Sequence, residues 1–224
     1  MSPVRIRQNA SFQRPRKKRE PYDVVLIVCE GAKTEPAYFT ALKNELRLSS
    51  ANSHICGKEC GSAPLSVVDH ALQLSRNNAD YDRIFCVFDK DRHETYQAAI
   101  DKVRKRRTKI EAITSIPCFE FWLLLHFEDS AHYYVAAGGN SACDMVIRDF
   151  KKHIPEYEKG VTAIFDKTYP SVDTAIRRAE LLEQRQSESG ADNPSTKVHR
   201  IVRYLRELKK RGEKVVSVDF KKSL

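Results

Sequence analysis

An α/β fold built on a mostly parallel sheet with helices on both faces is predicted by three features of this 224-residue chain. Two apolar runs, Val24–Cys29 and Ile84–Phe88, are continuous and rich in Val, Ile and Phe, the pattern of strands buried on both faces. Each run ends on an acidic motif, Glu30-Gly31 after the first and Asp89-Lys90-Asp91 after the second. Around them strand patterns alternate with amphipathic stretches of helical period joined by short links, as in a doubly wound sheet. Such sheets bind ligands outside the carboxyl ends of their strands, so the acidic motifs are expected to meet there.

Residues 1–21 carry Arg5, Arg7, Arg14, Arg16, Lys17, Lys18 and Arg19 with few apolar side chains and read as a flexible basic arm ended by Pro21. An α/β core is expected over 22–128 and a mainly helical part, packed on that core, over 129–224. After the first strand, Thr34 fits an N-cap, Pro36 the opening turn, and Tyr38, Phe39, Leu42 and Leu46 a helical stripe. A short second strand is expected over 53–57, and a helix carrying Val67, Val68, Ala71, Leu72 and Leu74 returns the chain to the Ile84–Phe88 strand. A polar helix over about 94–107, a strand over about 110–115 and an apolar helix Phe119–Phe127 opened by Pro117 follow. Beyond residue 129, Cys143–His153 and Val172–Gln186 look helical, with a polar linker over 187–195. Asn193-Pro194-Ser195-Thr196 then reads as the start signal of a last helix striped by Val198, Ile201, Val202, Leu205 and Leu208.

Composition narrows the function classes. No apolar stretch approaches the roughly 20 residues that span a bilayer, and the charged start lacks the apolar core of a secretory signal. Cys29, Cys86 and Cys118 lie in apolar runs, where cysteine acts as a small hydrophobe, so a reduced, cytoplasmic setting is expected. The net charge of +9 includes a second cluster, Lys102, Arg104, Lys105, Arg106, Arg107 and Lys109. A solvated helix face is the plain explanation of such a cluster; binding of a polyanion such as nucleic acid is the functional one.

The acidic motifs carry the chemistry. Alternate residues of an extended segment point the same way, so Asp89 and Asp91 are placed to share a cation, with Glu30 from the neighbouring strand. Crowded carboxylates repel one another unless a hard cation neutralises them, which predicts Mg²⁺ or Mn²⁺ held by Glu30, Asp89 and Asp91. Glu35 is a further candidate, although a first helical turn favours an acid through the helix dipole alone. Glu120 sits among Phe119, Phe121 and Trp122, where an unpaired charge is costly, so it is expected to face the site or a cation. His126 suits a core histidine as well as a proton carrier. Lys33, Lys90 and Arg92 beside the acids are expected to contact phosphate, and Arg104, Arg106 and Arg107 to extend a basic surface. His54, Cys56 and Cys60 include a Cys-x₃-Cys spacing, but no second close pair follows, so structural zinc is not expected. A P-loop is missing as well.

The run Val28-Cys29-Glu30-Gly31-Ala32-Lys33-Thr34-Glu35-Pro36-x-Tyr38-Phe39, then Phe88-Asp89-Lys90-Asp91, then Ser115-Ile116-Pro117-Cys118-Phe119-Glu120-Phe121-Trp122-Leu123-Leu124-Leu125-His126-Phe127, and finally Asn193-Pro194-Ser195-Thr196 resembles the RloB-like family. The resemblance extends from about residue 22 onward and leaves the basic arm outside it. It implies a Toprim-like fold and a role in bacterial phage defence or abortive infection, often beside an AAA or ABC-type ATPase. In Toprim nucleases a Glu after the first strand and an Asp-x-Asp after a later one bind Mg²⁺, and the matching positions are Glu30, Asp89 and Asp91. The resemblance also makes Glu35 and Glu120 candidates for the site. Toprim domains serve topoisomerases, primases and nucleases alike, so fold does not select the reaction. The expectation is a Mg²⁺- or Mn²⁺-dependent endonuclease acting on DNA or RNA. The rival expectations are a non-catalytic nucleic-acid-binding or regulatory subunit, and a nuclease silent until an ATPase partner engages it, with Leu205 and Leu208 as one face for that contact, although core packing is the commoner use of such a stripe.

Overall fold

The computed structural model describes residues 23–48, 53–57, 59, 61, 63–77, 81–90, 93–106, 109–161 and 163–222. The basic arm expected over 1–21 lies outside them, as do Cys60, Asp91, Arg92 and Arg107. The elements run β1 (Val25–Cys29), α1 (Thr34–Glu45), β2 (Ser53–Cys56), α2 (Pro64–Asn77), β3 (Arg83–Asp89), α3 (Tyr96–Arg104) and β4 (Ile110–Ile116). There follow α4 (Glu120–Leu124), α5 (Ala142–Lys151), α6 (Ile164–Thr168), a 3₁₀ turn (Tyr169–Ser171), α7 (Val172–Ser189), β5 (Ser195–Thr196) and α8 (Val198–Lys222).

The sheet has the order β2-β1-β3-β4-β5. Its first four strands are parallel, and β5 pairs antiparallel with the end of β4. Side chains of β1 alternate between two cores: Val25, Ile27 and Cys29 face α1, α4 and the later helices, whereas Leu26 and Val28 face α2 and α3. Every residue of β1 is therefore buried, which explains why the run shows no polar alternation. From β1 the chain first builds β2 on one side and then β3 on the other, so the connections diverge between β1 and β3. A crevice opens at that switch point, at the carboxyl ends of these two strands.

The helices after residue 129 share the α1 face of the sheet. One continuous apolar cluster joins Val25 of β1 to Val146 of α5, Ile176 of α7 and Leu205 of α8. The predicted stripe of α8, Val198, Ile201, Val202, Leu205 and Leu208, is buried in it. Leu205 and Leu208 are thus core residues, not an exposed face awaiting a partner.

Three local expectations are corrected. The apolar helix expected over Phe119–Phe127 shortens to Glu120–Leu124, because side chains take up the carbonyls that another turn would have used. His126 Nδ1 lies 3.0 Å from the Trp122 carbonyl oxygen, and Arg178 donates to the Leu125 carbonyl at 2.7 Å. Burial pushes the His126 imidazole down to about 4, so it is a neutral core group and lies outside the cleft described below. Ser195-Thr196 forms a strand on Ser115 and Ile116 before α8 begins, and Thr196 Oγ1 accepts from the Val198 N–H at 3.3 Å. Cys118 is joined to Cys143 as a disulfide instead of standing as a lone hydrophobe. No helix among the described residues is long and apolar enough to cross a membrane.

Candidate active site

Glu30 and Asp89 are brought together by strand register. Parallel pairing sets Cys29 opposite Val87, so Glu30 directly follows β1 while Asp89 is the last residue of β3. The Glu30 N–H donates to the Val87 carbonyl at 2.9 Å, and the Asp89 N–H donates to Glu30 Oε2 at 3.0 Å. The other Glu30 oxygen, Oε1, lies 3.0 Å from His93 Nε2. Asp89 Oδ2 accepts from the Phe119 N–H at 3.2 Å, at the turn that leads into α4. Both carboxylates are therefore oriented by the chain itself.

Glu35 comes from the first turn of α1 and is buried, as is Glu120 at the start of α4. The Glu35 carboxyl packs directly over Gly31, on the side where any larger residue would place its Cβ. Glycine at this turn therefore lets Glu35 fold back over the Glu30 segment. Glu120 Oε1 accepts from the Tyr157 hydroxyl at 3.1 Å and lies 3.4 Å from Lys159 Nζ. That partnership explains how an acid with 2% exposure is tolerated in an apolar segment.

These four acids line one open cavity of about 510 Å³, together with Asp144, Lys33, Lys159 and His93. Negative charge outweighs positive within it, and the titrations respond. Burial first, then the Glu35, Glu120 and Glu30 carboxylates, push Asp89 well above the usual carboxylate range, against the opposing Phe119 hydrogen bond. Burial likewise pushes Glu35 up to about 7, with Glu120 and Glu30 adding to it while its backbone hydrogen bond and Lys159 oppose. Burial and the Glu120 carboxylate raise the Tyr157 hydroxyl, which stays a donor.

The donor set of Glu30 and Asp89 is all oxygen, which fits a hard divalent cation. Crowding supports the same fit, since Asp89 and Glu35 hold their protons more firmly where the neighbouring acids are not neutralised. Asp91, the third ligand expected from sequence, lies outside the described residues. The Cys118, Glu120 and Cys143 side chains cluster within 4.8 Å, but the two sulfurs are bonded to each other and cannot act as thiolates.

The basic candidates divide. Lys33 lies in the cleft at the N-cap of α1, and Thr34, expected to be that cap, is instead the first helical residue. Its Oγ1 accepts from the Gly160 N–H at 3.1 Å, so the hydroxyl that would have capped α1 ties down the 157–160 segment. Lys90 points away from the cavity, pairing with Asp192 and resting 5.9 Å over the Tyr96 ring. Arg104 and Arg106 are exposed at the end of α3, which leads back to the amino edge of the sheet, opposite the cleft. Arg92 and Arg107 lie outside the described residues.

Sequence reasoning missed Tyr157, Lys159 and His93. His93 follows the Asp-Lys-Asp motif closely enough to have been noticed; Tyr157 and Lys159 lie in an irregular polar segment with no motif to mark them. No curated protein and no solved structure matches the chain. The family described as RloB-like protein matches over residues 25–205, from the first residue of β1 into α8. That span covers most of the chain and contains every residue of the cleft, and the protein accordingly belongs to the RloB-like family.

Proposed function

We propose that this chain is a divalent-cation-dependent nuclease that hydrolyses nucleic-acid phosphodiesters in bacterial phage defence. The observation that carries the reading is the meeting of Glu30, Glu35, Asp89 and Glu120 in one cleft at the switch point of the sheet, in a chain of net charge +9. The cation would be held by Glu30 and Asp89, with Asp91 as the further ligand that the sequence motif supplies. When bound, a hard divalent cation supplies Lewis acidity at a phosphoryl oxygen and makes a nucleophilic water accessible at neutral pH.

The chain's own groups do the rest. The Phe119 N–H holds Asp89, while the Asp89 N–H and His93 fix the two oxygens of Glu30. Glu35, with its carboxyl near 7, is suited to take or give a proton at physiological pH. Lys33 and Lys159 place positive charge on the cleft wall, where it attracts phosphate. Membership of the RloB-like family supports the defence role, and the ATPase partner is proposed from what that family resemblance implies.

The test is cleavage of duplex DNA, single-stranded DNA and structured RNA by the wild type, Asp89→Asn and Glu30→Gln, each with Mg²⁺, Mn²⁺ or chelator. Cation-dependent cleavage lost in both folded variants is the expected result. Cleavage that persists unchanged in the variants overturns the mechanism. Salt-sensitive binding without cleavage, indifferent to divalent cation and to an added ATPase, overturns it in favour of a binding subunit.

A further inference from the structure

A second constellation lies outside the acidic cleft, between the end of edge strand β2 and the helix that follows. Cys56 ends β2, Glu59 follows in the connection, and His70 sits within α2. A thiol sulfur, a carboxylate oxygen and an imidazole nitrogen from these three residues all lie within 4.8 Å of one another. Independently, Nε2 of His70 is buried and has no hydrogen-bond partner among the described residues. A buried imidazole nitrogen without a partner is costly, and a cation is one group that would satisfy it. The sequence shows only Cys56 at a suggestive spacing; α2 folding back against β2 is what adds His70.

The geometry points to a zinc-class cation site formed by Cys56, Glu59 and His70. The ligand chemistry selects the ion: thiolate and imidazole favour a borderline-soft metal such as Zn²⁺, whereas Mg²⁺ prefers an all-oxygen shell. Three protein ligands leave a tetrahedral position over, filled by water or another donor. The site's role follows from what adjoins it. Gly57, next to Cys56, packs so closely on the Gly31 carbonyl oxygen and the Pro36 ring that a Cβ there would stand 2.6 Å from that oxygen. A cation clamping Cys56 to α2 would therefore brace the turn that carries Glu30 and Gly31. Binding at this site does not depend on the nuclease reading, because its ligands are separate from the carboxylates of the cleft.

Cobalt supplies a direct readout, since thiolate bound to Co²⁺ gives a charge-transfer absorption in the near ultraviolet that carboxylates do not. The full chain, kept under inert gas without reductant so that the Cys118–Cys143 disulfide stays closed, and stripped of metal, would be titrated with Co²⁺ and then with Zn²⁺. Expected are the charge-transfer band at about one equivalent, displacement by Zn²⁺ but not by excess Mg²⁺, and loss of the band in Cys56→Ser. His70→Gln should weaken binding by at least the 10–100-fold that loss of even an outer-sphere partner produces. Asp89→Asn and Glu30→Gln should leave the band intact. Circular dichroism accompanies each titration to separate loss of a ligand from loss of the fold, and Zn²⁺ should raise the melting temperature of the wild type but not of His70→Gln. A folded wild type without the band, a band that survives Cys56→Ser, or unchanged affinity in folded His70→Gln overturns the assignment.

Discussion

Ionising Glu35 should cost the fold stability, and the size of that cost can be worked from its surroundings. Its carboxyl moves from an ordinary 4.5 to about 7, chiefly by burial. At about 1.4 kcal/mol per pH unit, this amounts to roughly 3 kcal/mol lost once the group is ionised. The folded state binds the extra proton, so stability falls as pH rises. The contribution of Glu35 should be largest below about pH 4.5, where it is protonated in both states, decline through the window up to about pH 7 and level off above it. Asp89, raised in the same direction, steepens the decline. For a chain of this size roughly 3 kcal/mol corresponds to about 6–12 °C in melting temperature. The assay is urea unfolding in chelator at several pH values for the wild type and Glu35→Gln, which keeps the shape but cannot ionise. The variant should lose about 3 kcal/mol of the pH dependence, and Mn²⁺ should stabilise the wild type more at pH 7.5 than at pH 5, since the cation competes with protons. Equal slopes in the two proteins, or a variant whose stability falls more steeply than that of the wild type through this window, would refute the account of the cleft.

Two further substitutions probe the packing that builds the site. Tyr157→Phe removes the hydroxyl donated to buried Glu120 and leaves Lys159 as its charged neighbour; a loss of about 1.5–3 kcal/mol is expected from urea midpoints, and no loss would show that the hydroxyl is not needed there. Leu205→Ala empties a fully buried position that joins α8 to the sheet and should cost about 2–5 kcal/mol; a change below about 0.5 kcal/mol, typical of surface sites, would mean that this stripe is not core.

Some of the site was legible because its signals are local. Glu30 and Asp89 each end an apolar run, and a parallel sheet delivers such positions to one edge whatever the details of the loops. Glu120 was legible for a different reason, as an acid in an apolar segment must find a partner. That partner was not legible. Tyr157 and Lys159 reach Glu120 across some 37 residues of chain, through a segment with neither periodicity nor motif. The two-residue strand β5 was hidden likewise, since its pairing with Ser115 and Ile116 depends on an edge left open by β4.

The chain's apolar runs, helical stripes and acidic strand ends determined the α/β class, the parallel strands and the meeting of Glu30 with Asp89, because those properties follow from side-chain periodicity and backbone pairing over a few residues. Tertiary packing alone decided which charges face one another. It turned Lys90 toward Asp192, carried Arg104 and Arg106 to the opposite edge, drew Lys159 into the cleft and set His70 beside Cys56. Contacts of this kind join elements distant in sequence, and their partners are selected by how helices close over the sheet. Burial then gives them their chemistry, since a carboxylate such as Glu35 acquires its raised affinity for a proton only when water has been excluded around it.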